Sequence, residues 1–367
     1  AGASLAVTTE LAISGYPPRD LLLQPDFVNA CHDTASSMDS VIPILVGTPV
    51  PPLGDRSLPG NGVVRAGDSA REVTRKQLLP TYDVFDEARY FEADERPGIA
   101  RTIAGLDIGV TICEDAWQHC GATPNDYDSD PIAQIVEWGR QGVLLDATVN
   151  LSASPYHANK SGIRIAVARS AAASLNHPFL LANQVGGNDD LLFDGRSVIA
   201  WPNGAVVIAP AWVEGVLIAD LSSPEECIWL GDGEVTILAP GTDIEDDEND
   251  LLDAIIIGLS DYCNKSGISK IVLGLSGGID SALAACVASA AVGAGNVTGI
   301  SMPSRHSSQH SIDDAKVTAE VLGIDFAIRP INDLHDAADL ALADLLANGN
   351  PVAGENLQAR LRGLIVM

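Results

Sequence analysis

Short apolar runs alternate with amphipathic stretches along the whole chain, and this alternation predicts an α/β protein. In the first two-thirds, strands are predicted at Leu5–Thr8, Ile42–Gly47, Gly62–Val64, Asp107–Cys113, Gly142–Ala147, Phe179–Asn183, Ser197–Ala200 and Val206–Ala209. Helices are predicted there at Pro25–Ser37, Pro131–Arg140 and Lys160–Leu175. The spacing of these elements predicts a layered α/β domain.

The last third of the chain repeats a strand–helix unit, which predicts a parallel sheet. Its strands are predicted at Ile271–Leu275, Val297–Ser301 and Asp325–Arg329. Its helices are predicted at Leu251–Lys265, Ser281–Val292, Ile312–Leu322 and Asp336–Ala347. Since ligands of such sheets bind beyond the carboxyl ends of the strands, this pattern favours a nucleotide site at that edge.

A polar and acidic run, Asp243 to Asp250, separates the two parts. We therefore predict a first domain over residues 1–220, a linker over 221–250 and a second domain over 251–367. The chain opens on "AGASLAVTTE" and ends on "ARLRGLIVM", an apolar helix without a cap. We expect truncation at both ends, with the second domain incomplete at its C-terminus.

Charge and cysteine usage narrow the class of protein. The chain carries 21 basic and 49 acidic residues, a net charge of −28, which argues against nucleic acid as a partner. No apolar run approaches the roughly 20 residues of a membrane span. The six cysteines form no CxxC pair and suit no zinc site. Their scatter, without a secretory signal pattern, predicts reduced thiols and a cytoplasmic protein.

One glycine-rich turn, in "KIVLGLSGGIDSALAACVASAAVG", predicts an anion site between a strand and a helix. Gly277 and Gly278 allow close approach of the backbone N–H groups, and Ser276 and Ser281 add hydroxyl donors. A carboxylate at Asp280 would repel a polyphosphate unless a cation lay between them, which indicates Mg2+. The alternative is an ordinary strand–helix turn with Asp280 as a first-turn acid favoured by the helix dipole.

Three segments of the last third resemble known nucleotide-binding motifs. "SGGIDS" resembles the pyrophosphate loop of the N-type ATP pyrophosphatases, and "MPSRHSSQHSIDDA" resembles the second nucleotide loop of the NAD synthetases. "ENLQARLRG" resembles the deamido-NAD helix of the latter family. The resemblance implies ATP contacts from Gly274, Ser276, Gly277, Gly278, Asp280, Ser281, Met302 and Ser304, with Mg2+ at Asp280. It implies deamido-NAD+ contacts from Asn356 and Arg360, which could otherwise belong to a solvated helix face.

A second set of reactive residues, Glu10, Lys76 and Cys113, lies in apolar surroundings in the first part. A thiolate can attack a carboxamide, a carboxylate can carry the thiol proton to the leaving amine, and an ammonium can stabilise the oxyanion. The ammonium would also keep the pKa of the thiol low. Each residue alone has an ordinary explanation, as a core cysteine, a solvated acid or a surface lysine.

The surrounding segments resemble the nitrilase-like glutaminase domain of the glutamine-dependent NAD synthetases. They are "ELAISGYPPRDLLLQPDF", "KQLLPTYDVFDEARYF", "ICEDAW", "NLSASPYHANK" and "ANQVGGNDDLLFDGRS". The resemblance implies that Glu10 is the base, Lys76 the oxyanion residue and Cys113 the nucleophile, and that Tyr82, Glu114 and Ser154 hold glutamine. Tyr82 could instead serve only in packing. One departure is "VTT" before Glu10, where the family commonly has a proline.

The two resemblances together imply a fold and a reaction. The fold is an α-β-β-α sandwich followed by a Rossmann-like domain of the adenine-nucleotide alpha hydrolase type. The reaction is glutamine hydrolysis coupled to ATP-dependent conversion of deamido-NAD+ to NAD+, in a homo-oligomer. Three alternatives remain: an amidase or nitrilase with a degenerate second domain, another N-type pyrophosphatase with a different acceptor, or an inactive fragment.

Overall fold

A computed structural model describes residues 2–67, 70–102, 104–244, 248–347 and 352–367. The chain folds as two compact units, Ala1–Leu251 and Leu252–Met367. The helices are α1 Pro25–Ser36, α2 Pro131–Arg140, α3 Lys160–Leu175, α4 Glu248–Lys265, α5 Ile279–Val292, α6 Gln309–Leu322, α7 Asn332–Ala341, α8 Ala343–Ala347 and α9 Val352–Val366.

The strands of the first unit form two main sheets. They are β1 Ala6–Val7, β2 Ile44–Val50, β3 Gly60–Ala66, β4 Arg71–Arg75, β5 Gly98–Arg101, β6 Asp107–Ile112, β7 Ala147–Ser152, β8 Phe179–Asn183, β9 Val185–Asn188, β10 Leu191–Asp194, β11 Val198–Ala200, β12 Val206–Ile208, β13 Gly215–Ile218, β14 Ile228–Gly231 and β15 Thr236–Leu238. One sheet has the order β1-β2-β3-β4, and the other has the order β15-β12-β11-β8-β7-β6-β5. The pairs β9–β10 and β13–β14 form separate ribbons.

The first unit has four layers, which confirms the predicted α-β-β-α sandwich. Side chains of β2 alternate between two cores, as the pleat of a strand requires. Leu45 packs with Val110 between the two sheets, whereas Val46 packs with Ala35 of α1 on the outer side. On the far side of the seven-stranded sheet, α2 and α3 bury their apolar faces against β8, β11 and β12. This arrangement leaves a dry interior between the sheets.

The second unit contains a three-stranded parallel sheet, which confirms the predicted Rossmann-like pattern. Its strands are β16 Ile271–Gly274, β17 Val297–Ser301 and β18 Asp325–Ile328, in the order β16-β17-β18. Leu275, Val297 and Ile324 pack with small residues of α5 and α6, including Ala285 and Ala315. Small residues let these helices approach the sheet closely, so the turns at its carboxyl edge are held in place.

The predicted strand Gly142–Ala147 is wrong. The strand in this region is β7, which begins at Ala147 and is buried throughout. Leu144 is 82% exposed, although it belongs to the more apolar run. A central strand with polar residues is tolerated because Asn150 donates hydrogen bonds to Thr111 Oγ1 and to the Cys113 carbonyl, at 3.0 and 3.2 Å.

The segment predicted as a linker contains ordered strands of the first unit. β15 pairs with β12 at the edge of the seven-stranded sheet, and β14 pairs with β13. Residues 245–247 of the acidic run lie outside the described residues. Within the described residues, no helix combines the length and apolar character that crossing a bilayer requires.

Buried ion pairs fix α3 against the ribbon β9–β10. Arg164 donates two hydrogen bonds to Asp194, at 3.0 and 2.8 Å, and both side chains are fully buried. Arg196 extends this network to Asp194 at 3.5 Å, and it also contacts Ser161 and Asp250. Since a buried charge without its partner is costly, this network holds the first turn of α3 in one position.

Candidate active site

Cys113 lies at the carboxyl end of β6, where the strand turns sharply into a short 3-10 helix. Its φ is +45°, a left-handed conformation that a residue with a side chain adopts only when its surroundings require it. Asn150, on the neighbouring β7, donates to the carbonyl of Cys113 at 3.2 Å. The turn therefore presents the thiol in a single, constrained orientation.

Lys76 follows β4 and places its ammonium between two carboxylates. Its Nζ donates to Glu10 Oε1 at 2.8 Å and to Glu87 Oε1 at 2.7 Å. All three side chains are at least 95% buried. An ammonium carries three N–H donors, so two are used here and the third is available to a substrate atom.

Glu10 is held on both of its oxygens. Besides Lys76, Asn61 donates to Glu10 Oε1 at 2.7 Å, and the backbone N–H of Ala153 donates to Oε2 at 2.9 Å. Asn61 belongs to β3, and Ala153 directly follows β7, so both sheets contribute. Glu10 itself lies three residues beyond β1, in a turn. The structure thus brings Glu10, Lys76 and Cys113 into one buried site.

Burial raises the pKa of the Cys113 thiol well above its usual value, and the Glu10 carboxylate raises it further. The Lys76 ammonium acts in the opposite direction but does not outweigh them. The expectation that the lysine keeps this pKa low is therefore wrong, because burial, and next the Glu10 carboxylate, raise the pKa by more than the ammonium lowers it. The resting thiol is neutral and needs a base.

Burial lowers the pKa of Lys76, but Glu10 and Glu87 outweigh this effect and hold the pKa well above its usual value. Burial raises the pKa of Glu87 to about 7, against the lowering effect of Lys76. Tyr16 donates to Glu87 Oε1 at 2.7 Å. The sequence analysis did not single out Glu87, because nothing in "FDEARYF" distinguishes its carboxylate from that of Asp86.

A cavity of about 340 Å3 adjoins the acidic side of this cluster. Its lining includes Tyr16, Phe85, Glu87 and Phe91. Within the described residues, Glu87 Oε2 is buried and has no hydrogen-bond partner. The lining of the cavity therefore mixes aromatic, aliphatic and charged side chains.

Two of the three predicted glutamine contacts interact directly. Tyr82 donates to Glu114 Oε1 at 2.6 Å, and Tyr127 donates to the same oxygen at 3.2 Å. Burial and the Glu114 carboxylate raise the pKa of Tyr82 and of Tyr127. Ser154 is buried beside Ala153, and its N–H donates to Asn183 Oδ1 at 2.9 Å. Tyr127 was missed because it lies in a polar loop without a distinctive motif.

Lys160, the first residue of α3, is a further cation near Cys113. Its Nζ lies 4.2 Å from the centre of the Trp117 ring. Burial lowers the pKa of Lys160, and Arg164 lowers it further, whereas Cys113 and Glu114 act to raise it. The helix N-terminus adds to the positive potential. The site thus combines a buried thiol with a cationic side suited to a carboxylate.

In the second unit, the glycine turn joins β16 to α5 at the carboxyl edge of the sheet. Gly277 has φ of +82°, and a Cβ there would lie 2.2 Å from the Ser311 carbonyl oxygen, so only glycine fits. Ser281 Oγ lies 3.0 Å from Ser276 Oγ and accepts the N–H of Ser276 at 3.1 Å. Asp280 is exposed in the first turn of α5. A glycine and two serine hydroxyls therefore determine the geometry of this turn.

The other predicted nucleotide contacts follow β17 or lie on α9. Met302 approaches Gly274 so closely that a Cβ on Gly274 would lie 2.9 Å from its terminal methyl group. Ser304 is buried, and its N–H donates to Ser307 Oγ at 2.9 Å. Asn356 and Arg360 are exposed on α9, which packs against β16 and α7. No described contact joins them to the glycine turn.

Comparison with protein families matches both parts of the chain. The carbon-nitrogen hydrolase family model matches residues 1–226, which is more than half of the sequence. The NAD synthase family model matches residues 251–367. The first match contains all the residues around Cys113, and the second contains the glycine turn.

The chain is also similar to curated proteins of known activity. A glutamine-dependent NAD(+) synthetase of Synechocystis sp. is 40% identical over 380 residues, which cover 100% of this chain and 65% of that protein. The enzyme of the same name from Rhodobacter capsulatus is 37% identical, over 100% of this chain and 63% of its own length. The chain therefore spans slightly less than two thirds of these relatives.

A solved structure agrees with the fold over the whole chain. The glutamine-dependent NAD+ synthetase from Acinetobacter baumannii, determined in complex with adenosine diphosphate, superposes with a TM-score of 0.82 at 28% identity. This match covers 100% of the present chain and 65% of the other. The enzyme from Cytophaga hutchinsonii, at 20% identity and a TM-score of 0.75, shares the fold.

The charges around Cys113 predict opposite effects on its alkylation. Glu10→Gln removes a charge that raises the thiol pKa, so iodoacetamide should modify Cys113 faster between pH 7 and 9. Lys76→Met removes the opposing charge and should slow the same reaction. The rate is measured by peptide mass spectrometry, which separates Cys113 from the other five cysteines.

Glu137→Gln serves as the control, because this glutamate is half exposed and its described side-chain contacts are with Arg140 and Gln141, outside the cluster around Cys113. It should leave the rate unchanged. A slower reaction in Glu10→Gln, with the protein still folded, would contradict the assigned electrostatics.

Proposed function

Since the chain belongs to the carbon-nitrogen hydrolase family, we propose that its first unit hydrolyses glutamine for a glutamine-dependent NAD+ synthetase. The ammonia released would convert deamido-NAD+ to NAD+ in a reaction driven by ATP. The observation that carries the proposal is the buried Lys76 ammonium between Glu10 and Glu87, beside the Cys113 thiol. The NAD synthase match over 251–367 supports the second half.

In the first step, Glu10 accepts the thiol proton as Cys113 Sγ forms a bond to the carboxamide carbon of glutamine. A base is required because burial keeps the resting thiol neutral, with its pKa well above the usual value. The remaining N–H of Lys76 donates to the oxyanion. Glu10 then gives the proton to the leaving nitrogen, ammonia departs, and a thioester remains.

In the second step, Glu10 activates a water molecule, which attacks the thioester carbon. The C–S bond breaks, Cys113 regains its proton, and glutamate leaves. Lys76 stabilises both oxyanions from one position, since its two other N–H groups are tied to Glu10 and Glu87. Fixed donors cost little reorganisation at the moment of reaction.

Glutamine would be oriented by charges at the mouth of this site. Glu114, held by Tyr82 and Tyr127, presents a carboxylate for the α-ammonium group of the substrate. Lys160 presents a cation for the α-carboxylate, and Ser154 adds polar groups beside Ala153. This pairing of one acid with one cation favours a free amino acid over a simple aliphatic amide.

In the second unit, the glycine turn would bind the β- and γ-phosphates of ATP through Ser276, Gly277, Gly278 and Ser281. The nicotinate carboxylate of deamido-NAD+ attacks the α-phosphorus, pyrophosphate leaves, and ammonia displaces AMP from the resulting acyl adenylate. Gly274, Met302 and Ser304 would contact the adenosine. Asn356 and Arg360 would contact deamido-NAD+. A shared chain raises the effective concentration of ammonia.

Asp280 fits a Mg2+ ion bound jointly with the phosphates. No group of three or more potential ligands occurs among the described residues, and Mg2+ is commonly held by one or two carboxylates plus substrate phosphates. The ion would neutralise charge on the departing pyrophosphate. We further propose a homo-oligomer acting in the cytoplasm, where the six unpaired cysteines would remain reduced.

The proposal predicts selective labelling of Cys113 by a diazo-ketone analogue of glutamine. We expect one adduct by intact-protein and peptide mass spectrometry, and we expect free glutamine to prevent it. Cys113→Ala should abolish labelling, whereas Cys120→Ala, which removes an exposed thiol, should not. The absence of an adduct on folded protein would refute the glutaminase assignment.

A companion variant tests recognition of glutamine separately from the nucleophile. In Lys160→Met, protection of Cys113 should need about tenfold more glutamine, because a charge-assisted contact is lost. Protection at the original glutamine concentration would exclude Lys160 from the binding site.

The glycine turn predicts a metal-dependent effect of Asp280→Asn on ATP binding. With Mg2+ present, the variant should bind ATP about tenfold more weakly by calorimetry, since the shared cation loses a ligand. With a chelator present it should bind no more weakly, because the carboxylate then only repels phosphate. Asp325→Asn, at the opposite edge of the sheet, is the control. Equal weakening under both conditions would contradict a metal role.

A further inference from the structure

One buried acid of the first unit takes no part in the chemistry proposed above. Asp115 is 2% exposed, and both of its carboxylate oxygens accept backbone N–H groups. Oδ1 accepts from Gln77 at 3.0 Å and from Leu78 at 2.9 Å. Oδ2 accepts from Ile112 at 3.0 Å.

The donors are the chain neighbours of two catalytic residues. Gln77 and Leu78 directly follow Lys76, and Ile112 directly precedes Cys113. The bond to Ile112 is local and closes the short helix that follows Cys113. The other two bonds join Asp115 to residues 38 and 37 positions earlier in the chain. These two bonds are not needed to form that short helix.

Lys76 and Cys113 follow strands of different sheets. Lys76 follows β4 of the four-stranded sheet, and Cys113 follows β6 of the seven-stranded sheet. Apolar contact between sheets tolerates small sliding motions, whereas three directed hydrogen bonds to one carboxylate do not. We propose that Asp115 is a positioning residue that sets the distance between the oxyanion donor Lys76 and the nucleophile Cys113.

The inference rests on the proposed glutaminase function and adds a residue to it. Only a carboxylate meets the requirement, because each of its oxygens is an acceptor. An asparagine of the same shape has one acceptor and would direct its NH2 group at a backbone N–H. Asp115→Asn should therefore release either Ile112 or the pair Gln77 and Leu78.

The test compares Asp115→Asn with Asp130→Asn in the full chain. Asp130 is the matched control, since its carboxylate also accepts a backbone N–H, from Ala133, but touches neither catalytic segment. In Asp115→Asn we expect kcat for glutamine hydrolysis to fall about 100-fold, because a misplacement of about 1 Å has that effect. KM should change little, since the groups that would bind glutamine are not altered.

If Asp115 had a purely structural role, Asp115→Asn would lower the melting temperature. It would not selectively lower kcat while leaving KM nearly unchanged. Wild-type kcat in a folded Asp115→Asn protein would overturn the inference. If the wild-type chain does not hydrolyse glutamine, the proposed function is wrong. The effect of Asp115 on the position of Lys76 can still be tested through the reactivity of Cys113. The iodoacetamide reaction of Cys113 should then be slower in Asp115→Asn than in Asp130→Asn, because a displaced Lys76 lowers the thiol pKa less.

The unaltered chain provides the measurement if Asp115→Asn does not fold. Burial raises the pKa of Asp115 to about 7, although its backbone bonds and the charged Lys76 act to lower it. Protonation removes an acceptor but suits the buried site, so the fold should persist below pH 7. Hydrogen-exchange protection, corrected for intrinsic rates, should fall between pH 8 and 6 either at Ile112 or at both Gln77 and Leu78, depending on which oxygen takes the proton. Unchanged protection would overturn the inference.

Discussion

A buried ammonium shared by two buried carboxylates is the interaction on which the first unit depends. Lys76 bridges Glu10 and Glu87, so three ionisable groups share one buried cluster. Buried carboxylates are tolerated only if they have hydrogen-bond donors. Asn61, Tyr16 and the N–H of Ala153 supply them. Because these donors come from both sheets, the sandwich has to form before the site can exist.

This arrangement also affects the protonation of Cys113. Burial raises the pKa of its thiol, and the Glu10 carboxylate raises it further against the lowering effect of Lys76, so the site does not stabilise a thiolate. A permanently ionised cysteine would react with many electrophiles. A neutral thiol has to lose its proton before it can act as a nucleophile. The left-handed backbone at Cys113 and the hydrogen bond from the Ile112 N–H to Asp115 both constrain the turn that carries this thiol.

The glycine turn of the second unit is stabilised by different interactions from those in the buried cluster of the first unit. Its glycine turn is exposed to solvent, so it needs no buried counter-charge. It relies on backbone N–H groups and hydroxyls, and on the close approach of Gly277 to the Ser311 carbonyl. Short-range steric fit determines this geometry, whereas long-range charge compensation determines the site in the first unit. Because of this difference, the sequence predicts the glycine turn more completely than it predicts the buried cluster of the first unit.

The sequence by itself determined the α/β class, the parallel strands of the second unit and the glycine turn, because these depend on local periodicity and on residues adjacent in the chain. Motif resemblance also proposed Glu10, Lys76 and Cys113 as one set, and the structure places all three in one buried cluster. Only the tertiary structure decided the burial and the contacts of Glu87, Asp115 and Lys160 and the position of β7. The residues next to an acid or a lysine in a polar segment do not indicate that its side chain is buried. The polar strand β7 is buried because partners more than 30 residues away satisfy its side chains. Such long-range compensation is absent from any short stretch of sequence.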